Sequence, residues 1–179
     1  MDYTFDRMNN MRRSRYMSVQ GRIVSIEPTA FGNRRADGCM MFMNVEAMDG
    51  SMMNFMVTPT TYVVDFATLQ EGMTATFFYR ADLPVPLIYP PQYNAVVIAP
   101  QMQGDFVFVG RFNNSLVSDD QSLRLNMNEE VPVLTTNNQN FMGNIANHDL
   151  VVIYSNSTRS IPAQTTPMKV VVLCGQERM

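Results

Sequence analysis

The two halves of this chain carry one pattern twice, so each copy must fold from elements short enough to fit twice into 179 residues. Laid over one another, Gly21-Arg22 falls on Gly110-Arg111, and Met53, Phe55 and Val57 fall on Leu123, Leu125 and Met127. Further along, Val63-Val64 falls on Val133-Leu134, Phe77-Phe78-Tyr79 on Val152-Ile153-Tyr154, and Pro90-Pro91-Gln92 on Pro162-Ala163-Gln164. The apolar runs after those prolines, 95–98 and 168–173, close each copy. The second copy is shorter between its glycine and the Leu123 run, and is therefore expected to lack part of a first hairpin.

Inside each copy the signals are those of strands. From Val19 onward apolar and polar residues alternate with the period of two of a half-buried strand, until Pro28. Residues 39–48 and 51–57 flank Asp49-Gly50, whose tolerance of positive φ suits a two-residue type I′ hairpin. After Pro59, a β-branched run at 61–64 precedes one helical turn over 66–71 that ends at Gly72, and 73–79 again reads as strand. Pro84, Pro86, Pro90 and Pro91 have no N–H to give a ladder, so 83–91 is expected as an extended surface loop. Strand, long hairpin, helical turn and two further strands is the order of the partly open, five-stranded OB barrel. The fold class predicted is all-β: two tandem OB-like small β-barrel units related by internal duplication, with an extended N-terminal arm. The arm takes 1–17, the first repeat 18–100, a linker 101–105 and the second repeat 106–175.

Composition excludes several classes of function. With 46% apolar and 16% charged residues and a net charge of -3, the chain is globular in type. No apolar run approaches the ~20 residues that a membrane-crossing helix takes. Acids stand among the first seven residues where a secretory leader has its basic region, so no Sec signal and synthesis in the cytoplasm are expected. A sequence pI near 5.1 makes nucleic acid an unfavoured partner, because phosphate binding requires surplus Lys and Arg. Cys39 and Cys174 stand far apart and His148 is the sole histidine, so neither a disulfide framework nor a zinc site is indicated. His148 beside Asp149 reads as a turn residue opening a strand; Asp119-Asp120 and Glu129-Glu130 read as solvated turns. No calcium loop or glycine-rich phosphate cradle occurs. The chain is expected not to be an enzyme, and to use no metal and no cofactor.

The 17 methionines require an explanation. In the second copy Leu123, Leu125 and Met127 alternate with Arg124, Asn126 and Asn128, as in a sheet with one wet face. In the first copy a two-residue turn at Asp49-Gly50 would set Glu46 opposite Met53 and Asn44 opposite Phe55. Met41, Met43, Met52 and Met56 would then share the opposite, exposed face, with Val45, Ala47 and Asn54. An exposed apolar patch marks a contact surface, and the flexible thioether adapts to a partner. Ordinary packing outweighs a copper(I) site built from these thioethers and Cys39. The arm supplies a second set of anchors, Tyr3, Phe5, Arg12, Arg13, Arg15 and Tyr16, expected to dock on a neighbouring subunit.

The stretch 83–93 and the run Thr158-Arg159-Ser160-Ile161-Pro162-Ala163-Gln164 resemble segments of uncharacterised, duplicated β-rich proteins of spore-forming clostridia. The resemblance covers both repeats and not the arm. It implies a shared fold family and a spore or cell-envelope setting, and carries over no catalytic residue. The function expected is that of a structural, self-assembling protein acting through protein–protein contacts, as a homo-oligomer or with other proteins of the same layer. The alternative is an OB-like binding module for single-stranded nucleic acid or a glycan.

Overall fold

A computed structural model describes residues 14–29 and 35–175 of the chain. They divide into two compact units: Tyr16–Gln103, and the residues from Gly104 onward joined by Ser14 and Arg15. Among the described residues the protein is all-β, with strands and a single 3-10 turn.

The first unit contains β1 (Tyr16–Thr29), β2 (Met40–Ala47), β3 (Met52–Val57), β4 (Tyr62–Val63), β5 (Thr74–Arg80), β6 (Gln92–Asn94) and β7 (Val97–Pro100). Their order across the sheet is β4-β7-β5-β1-β2-β3-β6. β1 is long because it serves two ladders: Tyr16 to Arg22 pair antiparallel with β5, and Gly21 to Thr29 pair antiparallel with β2. At Gly21 the neighbouring β2 closes in. A Cβ there would lie 2.5 Å from the Glu46 carbonyl oxygen and 2.6 Å from Val45 Cγ1, so only glycine admits β2 at this distance.

The second unit contains β8 (Phe106–Phe112), β9 (Leu123–Leu125), β10 (Val133–Thr135), β11 (His148–Tyr154), β12 (Ala163–Thr165) and β13 (Lys169–Val172). Its strands form a sheet of order β10-β13-β11-β8 and a separate pair, β12-β9. Each of its ladders has a counterpart in the first unit with the same sense and register. The antiparallel pairs Gly110↔Leu150 and Val152↔Val170 match Gly21↔Ala75 and Phe77↔Ile98. The parallel pairs Val133↔Val170 and Leu125↔Thr165 match Val63↔Ile98 and Phe55↔Tyr93. Where the first unit has β2, the second has only the isolated bridges Phe112↔Ser118 and Val117↔Arg124. Both units have a cis proline at the matched place, Tyr89-Pro90 and Ile161-Pro162.

Three expectations are corrected. The sheets do not close into barrels. Between β6 and β7, Ala95 N donates to the Met56 carbonyl (3.0 Å) and Val96 N to the Phe78 carbonyl (2.8 Å). The chain thus leaves β3 for β5 within two residues and breaks the ladder as it does so. The helical turn expected at 66–71 is instead a 3-10 turn, Val64–Phe66.

The third correction is the hairpin. Ala47 N donates to the Ser51 carbonyl (2.8 Å) and Gly50 N to the Ala47 carbonyl (2.9 Å), which makes a three-residue loop in which Gly50 has a positive φ of 86° and Asp49 does not. The Asp49 carboxylate accepts from Ser51 N (2.9 Å) and Ser51 Oγ (2.6 Å), the arrangement of a type I turn closed by a left-handed glycine. These bonds, the Ser51 hydroxyl first, hold the Asp49 carboxyl below the usual carboxylate range. The register that follows pairs Met43 with Phe55 and Val45 with Met53. A slip of one residue exchanges the faces of a strand. Met41 and Met43 therefore face the core, with Met43 itself buried in it.

The two cores are filled by exchanging volume. The first places Phe55 against Phe77, ring centroids 4.6 Å apart, with Ile23 and Ala75 around them. The matched positions of the second hold the smaller Leu125 and Val152 and the larger Phe112 and Leu150. Such swaps preserve packing when total volume is kept. The paired glycines separate cause from position. Gly21→Ala should lower stability by about 2–3 kcal/mol, since the new methyl meets backbone of a ladder that cannot retreat. Gly110→Ala should cost less, because its Cβ meets the Phe108 ring (Cε1 at 2.7 Å), which can turn. Urea unfolding of the two variants checks the order; an equal or larger loss at Gly110 would contradict it.

Candidate contact surface

On the outward face of the hairpin, Phe42 stands opposite Met56, Asn44 opposite Asn54 and Glu46 opposite Met52. Asn44 Nδ2 donates to Asn54 Oδ1 (2.8 Å), and Gln92 lies in register beside Asn54. Glu46 also meets Arg22 at 3.4 Å, an exposed pair of little energetic consequence. Of the four methionines predicted to share a contact face, Met52 and Met56 are outward and half-buried around this row of amides. Met41 and Met43 are on the core side. The outward face is consequently smaller and more polar than expected.

The exposed apolar surface lies elsewhere, in the loop 83–91. Leu83, Val85, Leu87, Ile88 and Tyr89 are all exposed, Leu87 completely and Tyr89 to 85%. No charged residue occurs between Asp82 and Asp105 to break the run. Its counterpart in the second unit is shorter and is built around Ile161, which occupies the place of Tyr89 and is 95% exposed. Short polar side chains hold it there: Ser160 Oγ donates to the Pro162 carbonyl (2.8 Å), and Gln164 N donates to Thr158 Oγ1 (2.9 Å). An isolated exposed isoleucine would be unremarkable, but here the same position is apolar and outward in both units.

Arg15 and Tyr16 are committed within the chain. Arg15 Nη1 lies 3.2 and 3.3 Å from the two carboxylate oxygens of Asp149, and Arg111 Nη1 lies 3.4 Å from Oδ1 of the same group. Asp149 faces Arg111 across the β8/β11 ladder, and its side chain is fully buried. Tyr16 is buried in β1, with the Arg80 guanidinium 5.9 Å above its ring. Arg80 grips Asp82 in a two-point pair at 2.6 and 2.7 Å. Tyr3, Phe5, Arg12 and Arg13 lie outside the described residues.

The remaining candidates are turn and cap residues. His148 opens β11, with Nδ1 2.9 Å from the Ala146 carbonyl and its ring edge-on to Phe141. Asp120 Oδ1 accepts from Ser118 Oγ and from Ser122 N and Oγ at 2.6 to 3.0 Å, closing the turn after β8. The hydrogen bond from Cys39 to Asp37, together with the Asp37 charge, pushes the Cys39 thiol up, which leaves it a poor nucleophile. No group of three or more His, Cys, Asp or Glu able to hold a metal ion occurs among the described residues. Two arrangements escaped the sequence. One is the Asp149 cluster, which needs the β8/β11 register. The other is the stack of Tyr79 on Tyr93 (4.1 Å), which needs β3 to bring Tyr93 beside Phe55.

Comparison of the chain with protein-family models, with curated proteins and with solved structures finds no match in any of the three.

Asp149 generates a stability prediction. Asp149→Ala removes the buried carboxylate that Arg15 and Arg111 share and should cost about 3 kcal/mol. Arg15→Ala, which leaves Arg111 in place, should cost clearly less. Urea unfolding measures both; equal losses would show that the two arginines do not share the carboxylate.

Proposed function

We propose that the protein is a non-enzymatic, self-associating structural protein composed of two OB-like units related by duplication, acting through contacts of exposed apolar side chains. The observation that carries this reading is the apolar, outward residue at the same place in both units, Tyr89 and Ile161. The duplication is supported by the matched registers. The OB-like assignment is supported by strand order: β1, β2 and β3 antiparallel, β6 parallel to β3, and β7 antiparallel to β5, which returns to β1. In it, β6 and β7 act as one bent strand.

The partners are other copies of the chain or proteins of the same layer. A spore or cell-envelope layer is supported by the resemblance of 83–93 and 158–164, the same segments that present the exposed side chains. A second reading, a binding module for a glycan or single-stranded nucleic acid, is favoured by the row Asn44, Asn54 and Gln92 on the outward face. The net charge of -3 favours the glycan within that reading.

Gel filtration with light scattering over a range of concentrations tests the choice. The full chain should grow in mass with concentration. Tyr89→Asp combined with Ile161→Asp should raise the concentration of half-assembly by about tenfold or more, since charges on exposed positions oppose association without unfolding the sheet. The β circular-dichroism signal should be unchanged. A chain that stays monomeric throughout would remove this reading.

A further inference from the structure

The loop 83–91 gives almost none of its backbone to the sheet beside it. Residues 84–88 form neither turn nor strand, and no N–H or carbonyl of residues 83–90 bonds to another described residue. Four of the nine residues are prolines, so only five N–H groups remain to be satisfied. In an extended chain successive side chains point to different sides. Here both sides are bare: Leu87 is fully exposed, its neighbours Ile88 and Tyr89 are 50% and 85% exposed, and Leu83 and Val85 are exposed as well. The face of another folded protein covers one side of such a segment and leaves the other wet. Charge is absent from the loop and neutralised at its foot. Residues 83–104 carry none, and the buried Arg80 holds Asp82 through two bonds of 2.6 and 2.7 Å. The matched loop of the second unit differs, for there Arg159, Thr158 and Ser160 precede Ile161.

We propose that the loop 83–91 inserts into the surface of a zwitterionic lipid bilayer, with Leu87 and Ile88 against the acyl chains and Tyr89 at headgroup level. The inference goes beyond the self-association reading and does not rest on it. An acyl layer is fluid and surrounds the segment, so it takes both bare sides out of water at once. Tyr89 suits the boundary, since its ring is apolar and its hydroxyl stays wet. The prolines favour insertion as well, because each leaves one donor fewer to be stranded away from water. The unbonded carbonyls limit the depth. They keep their water at the headgroup boundary, as interfacial segments do, and could not do so at the bilayer centre. Charge selects the lipid. A chain of net charge -3 is repelled by an anionic surface, and nothing in the loop offers such a surface a cation. A few apolar side chains on one loop give reversible attachment.

The test is co-sedimentation of the full chain with phosphatidylcholine vesicles at low and at high salt. The chain should sediment with the lipid to the same extent at both, because the attraction is apolar. Leu87→Asp combined with Ile88→Asp should raise the lipid concentration of half-binding about tenfold or more, with the β circular-dichroism signal unchanged. The chain has no tryptophan, so Tyr89→Trp supplies a single reporter. Its emission should move to shorter wavelength when vesicles are added and be quenched by lipids brominated on their acyl chains. No sedimentation at any lipid concentration overturns the proposal, as does undiminished binding of the double variant. Binding that requires anionic lipid and is lost at high salt assigns the contact to arginines and overturns it too. An emission shift that follows protein concentration without lipid places the loop against a second copy; the lipid proposal then fails and self-association stands. A chain that is monomeric without lipid yet binds vesicles removes self-association and leaves this proposal. Should the double variant fail to fold, the emission of Tyr89→Trp decides.

Discussion

In the first unit one short stretch of backbone is shared by two ladders, and the remaining strands take their positions from it. Gly21 pairs with Ala47 on one side and Ala75 on the other, and the absent Cβ is what lets Glu46 and Val45 come so close. Once β1 is held between β2 and β5, the hairpin continues the sheet to β3, β3 recruits β6, and β5 recruits β7. The second unit repeats the half of this scheme that involves β11 and β13 and shortens the half that involved β2. Gly110 occupies the matched place, but its missing Cβ is filled by the Phe108 ring and not by a neighbouring strand. The glycine is the same; what it accommodates differs, a neighbouring strand in the first unit and an aromatic ring in the second.

Matches at fixed spacing were legible in the sequence because ladder registers depend on them. Gly21, Phe55, Val63 and Phe77, each matched in sequence to a residue of the second half, sit in ladders whose counterparts there keep the same sense and register. What was not legible was the length of the Asp49-Gly50 turn. Both a two-residue and a three-residue loop suit Asp-Gly, and the choice is decided by the bonds of Asp49 to Ser51, a residue outside the dipeptide. That single residue of slip exchanged the faces of β2, and carried Met41 and Met43 from the proposed contact surface into the core. Methionine gives no warning of such an error, because it is at home on either side.

The arm and the charged residues illustrate a different limit. Arg15 and Tyr16 resemble surface anchors when read beside Arg12 and Arg13, since composition alone does not reveal that a strand begins at Tyr16. Their roles depend on partners distant in sequence: Asp149 is 134 residues from Arg15, and Arg80 stands opposite Tyr16 across the ladder. A buried carboxylate shared by two arginines costs desolvation and returns it only if the geometry is satisfied, so the pairing depends on the β8/β11 register that sets Asp149 opposite Arg111. His148 and the acidic pairs were easier to place, because turns are local and their caps come from residues two to four positions away.

Two units that keep the same ladders while differing at their surfaces separate what the fold requires from what it leaves open. The ladders and the volume-balanced cores are the required part, for they recur although few side chains are identical. The differences are concentrated where nothing in the core depends on them. The first unit extends its hairpin and carries an amide row on the outer face, whereas the second has two isolated bridges in place of that strand and leaves β8 at the edge of its sheet. A sheet edge of this type favours pairing with another extended segment unless polar residues guard it, as Ser18 and Gln20 do in the first unit. β2 pairs with β1 only from Gly21 onward, so the stretch from Ser18 to Gln20 lacks a β2 partner just as its counterpart in β8 does, and the exposed Tyr89 and Ile161 are apolar positions that no ladder dictates in either unit.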